Sequence, residues 1–363
     1  MNVSGTSCAE SMARMPVICD RVASGRSDDV LIVGTFGTTH FNVGWFDDID
    51  EVVDIDACRR EEVEVVRRPV YGGGTAYYDA DAALAVAQVV PADRFTSLDA
   101  ALGAWQPIVL DALDALGLGS VKFEGASDLR WHGRKLGSFM ANEVLGCATI
   151  GGYLNLRRPD LDLYARCSKV PRAKFADKTI DDPVDYIVTP EEIRGAAVLY
   201  PEVRQALTAA VCEHTGMAIY EAPADDEERA HTAAFAQIMS ADETLHRISS
   251  ARFGSTAPPG SRVGFAYVKA RKLIRAGVAL DADDTILTAF LAGDMFISPP
   301  DVIDRAAAAL TGVAARDSAA IEAAIASVID ADDVVQADAL LGISAADVAS
   351  AVCAAVDATI GAA

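Results

Sequence analysis

The stretch that decides the fold reads DLRWHGRKLGSFMA and covers residues 128–141. Its two ends have the composition of strands, and the short segment 132–134 between them contains a glycine. This pattern is typical of a β-hairpin with a tight turn, because glycine adopts the backbone angles of such a turn without steric cost. The hairpin is expected to bring Asp128 and Lys135 towards one site.

The sequence on both sides of this hairpin predicts a mixture of strands and helices. Short apolar runs bounded by turn residues indicate strands, and apolar residues at helical spacing indicate helices. We expect strands at 30–33, 64–71, 75–78, 121–123 and 151–156, a strand or helix at 83–90, and helices at 49–64, 97–116 and across 183–250. Pro107 should kink or split its helix. The polar residues 1–28 are expected to be partly loose.

A turn-rich segment divides the chain. Residues 255–261 read STAPPGS, a composition typical of a break between structural units. We therefore expect one domain over residues 1–250 and a second over 260–363. The predicted fold class is α+β: a first domain built on a mixed or antiparallel sheet, followed by a smaller C-terminal α/β domain with a hairpin and alanine-rich helices.

Amino-acid composition argues against several classes of function. A hydrophobic share of 51% with 23% charged residues describes a soluble globular protein. The net charge of −22 argues against nucleic acid or an anionic membrane as partner, because both would repel this surface. The seven cysteines include no CxxC pair, and residues 1–24 lack the apolar core of a signal peptide. These features predict reduced thiols and a cytoplasmic location, and the five histidines show no metal-binding spacing.

Two groups of residues carry chemistry. Arg67 and Arg68 precede three glycines at 72–74, where backbone N–H groups could approach an anion closely; the alternative is an ordinary turn. Lys135 could neutralise negative charge that grows on a carboxylate or phosphoryl oxygen; the alternative is a solvated surface charge. The chain contains only seven lysines, which draws attention to each of them.

In this order and spacing, the segments resemble the catalytic domain of the lipoate–protein ligases, which belongs with the biotin ligases and octanoyltransferases. The resemblance rests on the arginine pair with its glycine run, on Asp128-Leu129, on Gly133-Arg134-Lys135 and on 152–156. Residues 269–312 resemble the accessory domain of the ligase branch, through motifs such as Gly293-Asp294 and Pro299-Pro300. The match runs from Val30 to Gly312.

The resemblance implies an ATP- and Mg²⁺-dependent enzyme that forms lipoyl-AMP and transfers the lipoyl group to a lysine of an acceptor lipoyl domain. Such acceptors are dehydrogenase E2 subunits or a glycine-cleavage H-like protein. Lys135 would be catalytic and would contact the acyl carbonyl and the α-phosphate, and Asp128 would help to bind magnesium or nucleotide. The acyl chain, expected in a narrow apolar tunnel, and the phosphates would be held by Arg68, Gly72, Gly73 and Gly74.

Three other functions stay open at this point. Octanoyltransferases of the same superfamily use a cysteine nucleophile without ATP, and Cys167 lies 32 residues after Lys135 (167 − 135), where one transferase branch carries it. Arg166 and Lys169 would favour its thiolate. The accessory domain and the segment 174–180, which resembles the lysine-rich loop of ligases, favour a ligase. Departures from the family pattern, such as Tyr78 where histidine is common, leave a non-catalytic acyl-binding protein open, and biotin ligation is the third alternative.

Overall fold

The computed structural model describes residues 5–69, 72–125, 127–169, 186–336 and 342–360. Strands of the first part of the chain are β1 (Val30–Thr35), β2 (His40–Val43), β3 (Glu64–Arg67), β4 (Ala76–Tyr78), β5 (Ala83–Pro91), β6 (Lys122–Glu124), β7 (Asp128–Trp131), β8 (Arg134–Val144) and β9 (Cys147–Asn155). Its helices are α1 (Cys8–Ala23), α2 (Ile49–Val52), α3 (Ile55–Arg60), α4 (Leu98–Ala115), α5 (Leu161–Cys167), α6 (Pro190–Arg194), α7 (Tyr200–Thr215), α8 (Asp226–Ser240), α9 (Asp242–Leu245) and α10 (Ser250–Thr256).

The main sheet has six antiparallel strands in the order β1-β5-β9-β8-β7-β6. Side chains alternate between its faces, as they do along any strand. One face packs against α4 and α7 in a core that includes Trp105, Phe139 and Ile150. The other face is covered by α1 and by a smaller sheet of order β3-β2-β4. The sheet that carries the predicted hairpin is therefore covered on both sides.

Helix α1 contradicts the expectation of a partly loose N-terminal segment. The side chain of Ser7 caps the helix by accepting the N–H of Glu10, and ten of the sixteen helical residues are buried. The buried residues Ile18, Cys19 and Val22 fall on one face, which packs on the main sheet. The expectation of a loose segment was wrong here because the apolar residues of 8–23 line up on a helix face that the main sheet covers.

Two predicted helices differ from the structure in instructive ways. The helix expected over 49–64 is broken into α2 and α3, because Asp48 and Asp54 each cap a new helix start with their carboxylates. Helix α4 runs without a break through Pro107, so the helix is not split there, and the kink given as the other expectation stays a prediction. Pro107 lies on the exposed face together with Gly103, whose carbonyl loses its helical partner but can bind water instead.

The C-terminal part has its own sheets and core. It contains β10 (Arg262–Lys269), β11 (Leu273–Leu280), β12 (Ile286–Gly293), β13 (Ile297–Ser298), β14 (Val335–Gln336), α11 (Val302–Ala309), α12 (Ser318–Ile329) and α13 (Ala345–Ile360). The hairpin β11–β12 was predicted, and α13 packs across β10 and β11. Phe46 and Ile248 of the first part join this core, and Arg275 pairs with the buried Asp48. The domain boundary between residues 250 and 260 stays a prediction.

The protein is thus α+β with predominantly antiparallel sheets, as the sequence predicted. Within the described ranges, no helix has the length and apolar character needed to cross a membrane.

Candidate active site

The β7–β8 hairpin forms the centre of the site. His132 and Gly133 both have positive φ angles, +50° and +78°, which is the geometry of a two-residue type I′ turn. A bulge between Leu129 and Arg130 shifts the register, so that Leu129 lies opposite Gly137 and Asp128 lies opposite Ser138. The turn and the bulge together gather the polar side chains of both strands.

Asp128 and Lys135 form an ion pair within this hairpin. Lys135 Nζ lies 2.8 Å from Asp128 Oδ1, and the two side chains are only 18% and 20% exposed. Burial acts to lower the pKa of Lys135, but the Tyr153 phenol and the Asp128 carboxylate outweigh it, and the pKa is raised above its ordinary value. Burial likewise acts to raise the pKa of Asp128, whereas Lys135 and Arg130 lower it below its usual range. Lys135 is therefore protonated and Asp128 ionised at neutral pH.

Two tyrosines, Tyr153 and Tyr186, lie near the ammonium group of Lys135. Lys135 Nζ lies 5.8 Å from the ring centre of Tyr153 on β9. The backbone of Lys135 pairs with Ile187, and its carbonyl accepts the N–H of Val188 at 3.0 Å. The neighbouring Tyr186 accepts a hydrogen bond from Arg130 at 3.0 Å. The ammonium thus lies at one end of the main sheet, in a partly desolvated position where its charge acts strongly.

The glycine loop, residues 72–74, is held by Arg68. The Arg68 guanidinium donates to Gly72 O at 3.0 Å, to Gly74 O at 3.0 Å and to Asn42 O at 3.2 Å. Its side chain is buried, and burial lowers its pKa. In this arrangement Arg68 organises the loop through backbone carbonyl groups. Its direct contact with acyl chain or phosphate stays a prediction.

Residues of the C-terminal part also contact the glycine loop. The N–H of Gly73 donates to Met295 O at 2.9 Å, and Gly72 pairs with Phe296. Gly73 has a φ of +75°, and a Cβ at that position would come within 2.9 Å of the Arg68 guanidinium, so glycine is required there. Asp47 accepts both the N–H and the hydroxyl of Thr75, at 2.5 and 2.6 Å.

Side chains between the two sheets connect the hairpin to the glycine loop. The rings of Tyr153 and Tyr78 are 5.1 Å apart, and Tyr78 belongs to the small sheet that leads into the loop. Asn142, near the other end of β8, lies against Gly72: a Cβ atom added to Gly72 would be only 2.7 Å from Asn142 Oδ1. Lys135 and the glycine loop therefore lie along one face of the main sheet. The narrow apolar tunnel expected there stays a prediction.

Cys167 lies in a different environment. It ends α5, is fully buried, and its thiol is close enough to hydrogen-bond with that of Cys58. Burial raises the pKa of Cys167, and Arg166 pairs with Glu61 at 3.1 Å. Arg166 acts in the expected direction and lowers the pKa of Cys167, but burial outweighs it, so the net effect does not favour a thiolate. The predicted lysine-rich segment 174–180 lies outside the described residues.

Sequence reasoning missed three residues of the site. Arg130 donates to Asp128 Oδ2 at 2.8 Å, and its position two residues after Asp128 on a strand could have indicated a shared face. Tyr153 was quoted only as part of a strand, yet it contacts Lys135. Tyr186 carried no local signal, because its place in the site follows from a long-range pairing.

Comparison with known proteins decides the family. Residues 7–211 match the family model described as the lipoyl protein ligase A/B catalytic domain. The chain belongs to this family. No curated protein sequence matches the chain. Among solved structures, this member of the lipoyl protein ligase A/B family is similar to relatives that share 9–19% of its sequence, a level at which the likeness shows the fold.

Three of these structures are informative. P. falciparum LipL1 in complex with lipoate has a TM-score of 0.66 and 9% identity, and the likeness covers 89% of this chain and 93% of that one. The bi-partite lipoate protein ligase from Thermoplasma acidophilum, described with its E2 lipoyl domain, has a TM-score of 0.58 and 19% identity, over 69% and 96% of the chains. Lipoate-protein ligase A bound with ATP has a TM-score of 0.56 and 18% identity, over 68% and 96%.

Proposed function

We propose that the chain is an ATP-dependent lipoate–protein ligase that forms lipoyl-AMP and transfers the lipoyl group to a lysine of an acceptor lipoyl domain. The observation that carries the proposal is the partly buried ammonium of Lys135 beside Asp128 and Tyr153. A fixed cation in a desolvated site stabilises the negative charge that develops in both acyl activation and acyl transfer. The lipoate and ATP named with related structures supply the substrates of the proposal.

In the first step, a lipoate carboxylate oxygen attacks the α-phosphorus of ATP. The bond between the α-phosphorus and the bridging oxygen breaks, and pyrophosphate leaves with the electron pair. Lys135 would contact the acyl carbonyl and the α-phosphate and neutralise part of their charge. Because its pKa is raised, Lys135 acts as a cation and not as a general base at neutral pH.

In the second step, the neutral amine of the acceptor lysine attacks the carbonyl carbon of lipoyl-AMP. A carbon–nitrogen bond forms, the carbon–oxygen bond to AMP breaks, and the nitrogen loses a proton to solvent. Negative charge grows on the carbonyl oxygen during the attack, and the Lys135 ammonium would stabilise it. The same residue thus serves both steps.

The glycine loop supplies the second half of the proposed site. Arg68 would hold Gly72, Gly73 and Gly74 in the conformation that accepts the acyl chain and the nucleotide phosphates. The absence of side chains at these positions allows a ligand to approach the backbone closely. The loop is therefore proposed to bind through its backbone, with Arg68 as its support.

Magnesium is proposed to arrive with ATP. The described residues contain no cluster of three or more histidine, cysteine or acidic side chains that could hold a metal ion. Asp128, expected to help bind magnesium or nucleotide, already accepts bonds from Lys135 and Arg130. Magnesium commonly binds through substrate phosphates and water with few protein ligands, which suits this arrangement.

The acceptor is proposed to be a lipoyl domain of a dehydrogenase E2 subunit or a glycine-cleavage H-like protein. An E2 lipoyl domain is named with the related Thermoplasma acidophilum ligase, which supports this partner class. A cytoplasmic location remains part of the proposal, on the sequence evidence.

Isotope exchange between pyrophosphate and ATP tests the first step directly. The exchange should depend on lipoate and should fall at least about a hundredfold in Lys135→Met, the loss typical when a transition-state charge partner is removed. Lys122→Met is the matched control, because Lys122 is exposed on the neighbouring β6. Exchange that continues in Lys135→Met, or that needs no lipoate, would rule out the proposed mechanism.

A further inference from the structure

The carboxylate of Asp128 is shared between two cations. Its Oδ1 accepts from Lys135 at 2.8 Å and from the Ser138 hydroxyl at 3.2 Å. Its Oδ2 accepts from Arg130 at 2.8 Å. Arg130 is not among the residues to which the family resemblance gives a role. The two cations bond to different oxygens of the carboxylate, so one of them can leave while the other remains bound.

Arg130 is fixed from several directions. Its guanidinium donates to Gly133 O at 2.8 Å within the hairpin turn and to the Tyr186 hydroxyl at 3.0 Å. The guanidinium carbon also lies 5.2 Å from the ring centre of Tyr186. The planar guanidinium makes these bonds in a rigid fork, whereas a lysine ammonium moves on a flexible four-carbon stem. Arg130 is therefore the stationary partner of Asp128, and Lys135 is the movable one.

We propose that Arg130 is a positioning residue that retains Asp128 when Lys135 moves onto the anionic substrate. The inference rests on the proposed function, in which Lys135 contacts the acyl carbonyl and the α-phosphate. With Arg130 present, the carboxylate left behind keeps a cation and the Ser138 hydroxyl as partners. Without Arg130, departure of Lys135 would leave a mostly buried carboxylate with no cation, which is energetically unfavourable.

The other charges around Arg130 do not replace this role. Glu124 lies 3.7 Å from Arg130 Nε, but its side chain is 53% exposed, so water screens the interaction. Arg134, the next cation on the hairpin, pairs with Glu192 at 2.7 Å and with Ile187 O. Removal of Arg130 would therefore tighten the hold of Asp128 on Lys135 and lower the positive charge that faces the substrate.

The first test measures Lys135 without using enzymatic activity. Purified protein is treated with an acetylating N-hydroxysuccinimide ester, and acetylation of each of the seven lysines is followed by peptide mass spectrometry. In Arg130→Met, Lys135 should react about tenfold more slowly, the scale expected for coupled neighbouring charges. Arg130→Lys keeps the charge without the rigid fork and should recover part of the rate, and Arg134→Met removes the same charge from the same hairpin as a control that should leave the rate unchanged.

The second test asks whether Arg130 acts on activity through Asp128. Arg130→Met should lower kcat/KM for ATP in lipoate-dependent pyrophosphate exchange about tenfold. The KM for the acceptor domain should not change, and Arg130→Lys, which keeps the charge, should recover part of the loss. In an Asp128→Asn background, Arg130→Met should cost less than about twofold, because no carboxylate remains to be held.

The outcomes separate this inference from the proposed function. Unchanged Lys135 acetylation in Arg130→Met, or an equal loss in both backgrounds, would overturn the inference; the second result would place Arg130 on the substrate itself. A wild-type protein with no exchange activity, but with slower Lys135 acetylation in Arg130→Met, would refute the ligase and leave the positioning of Asp128 by Arg130 in place.

Discussion

Lys135 and Asp128 stand seven positions apart in sequence and 2.8 Å apart in space, on the two strands of one hairpin. The pair brings a protonated amine to one end of a sheet that is covered on both faces. The ammonium is held by a carboxylate that has a second cation of its own. In the proposed reaction Lys135 moves from this carboxylate onto the substrate, and Arg130 remains with Asp128.

Replacement of Arg68 tests its role as the support of the glycine loop. Arg68→Met should lower the free energy of unfolding by about 3 kcal/mol or more, because buried carbonyl groups lose charged donors. Arg68→Lys should recover only part, since one ammonium cannot reach the carbonyls of Gly72, Gly74 and Asn42 together. Urea-induced unfolding measures both, with Arg59→Met as an exposed control. A fully stable Arg68→Met that has lost ATP binding would show a direct phosphate ligand instead.

Cys167→Ala distinguishes the ligase from the cysteine-dependent transferase. The buried thiol with its raised pKa is not set up as a nucleophile, so the variant should keep wild-type lipoylation activity. It should lose about 1 kcal/mol of stability through the small cavity that it leaves. The measurement compares lipoylation with ATP and lipoate against transfer from an octanoylated carrier. A folded Cys167→Ala protein that is inactive in both assays would contradict this assignment.

The pH dependence of stability tests the buried imidazole of His40. Burial lowers the pKa of His40 to about 4. The unfolded residue titrates near about 6.5, so between these values the unfolded chain binds a proton that the native state does not. Stability should therefore fall as pH drops through this window, by about 3 kcal/mol in total from this group. Urea unfolding of wild type and His40→Gln should show a steeper loss for wild type; parallel curves would contradict the assignment.

Salt should stabilise the fold. The net charge of −22 makes the native state repel itself, and added salt screens that repulsion. Between about 0.1 M and about 1 M salt the Debye length falls from about 10 Å to about 3 Å, so most surface repulsion is removed. Calorimetry should show Tm rising across this range of sodium chloride. A Tm that falls with salt would mean that attractive surface ion pairs outweigh the net repulsion.

Much of the fold followed from local patterns. The β7–β8 hairpin and the β11–β12 hairpin were predicted, because turn residues act over a few positions. Helix α1 was missed because its apolar face shows only when the sequence is wound into a helix. The break between α2 and α3 was missed because two aspartate caps interrupt an otherwise helical run.

The site was less predictable than the fold. Lys135 and Asp128 could be paired from sequence because one hairpin carries both. The contacts of Gly72 and Gly73 with Phe296 and Met295 could not, since more than two hundred positions separate them and only the packed fold joins them. The hydrogen bonds of Arg68 to carbonyl groups could not be predicted from the sequence either. One of its partners, Asn42, lies on β2, and only the packed fold brings the two together.

The most direct test of the central claim is the mass of an acceptor lipoyl domain after incubation with the protein, ATP, magnesium and lipoate. A ligase predicts a lipoyl mass increase on one lysine that requires ATP, persists in Cys167→Ala and disappears in Lys135→Met. A mass increase that needs no ATP, or one that survives in Lys135→Met, would contradict the account.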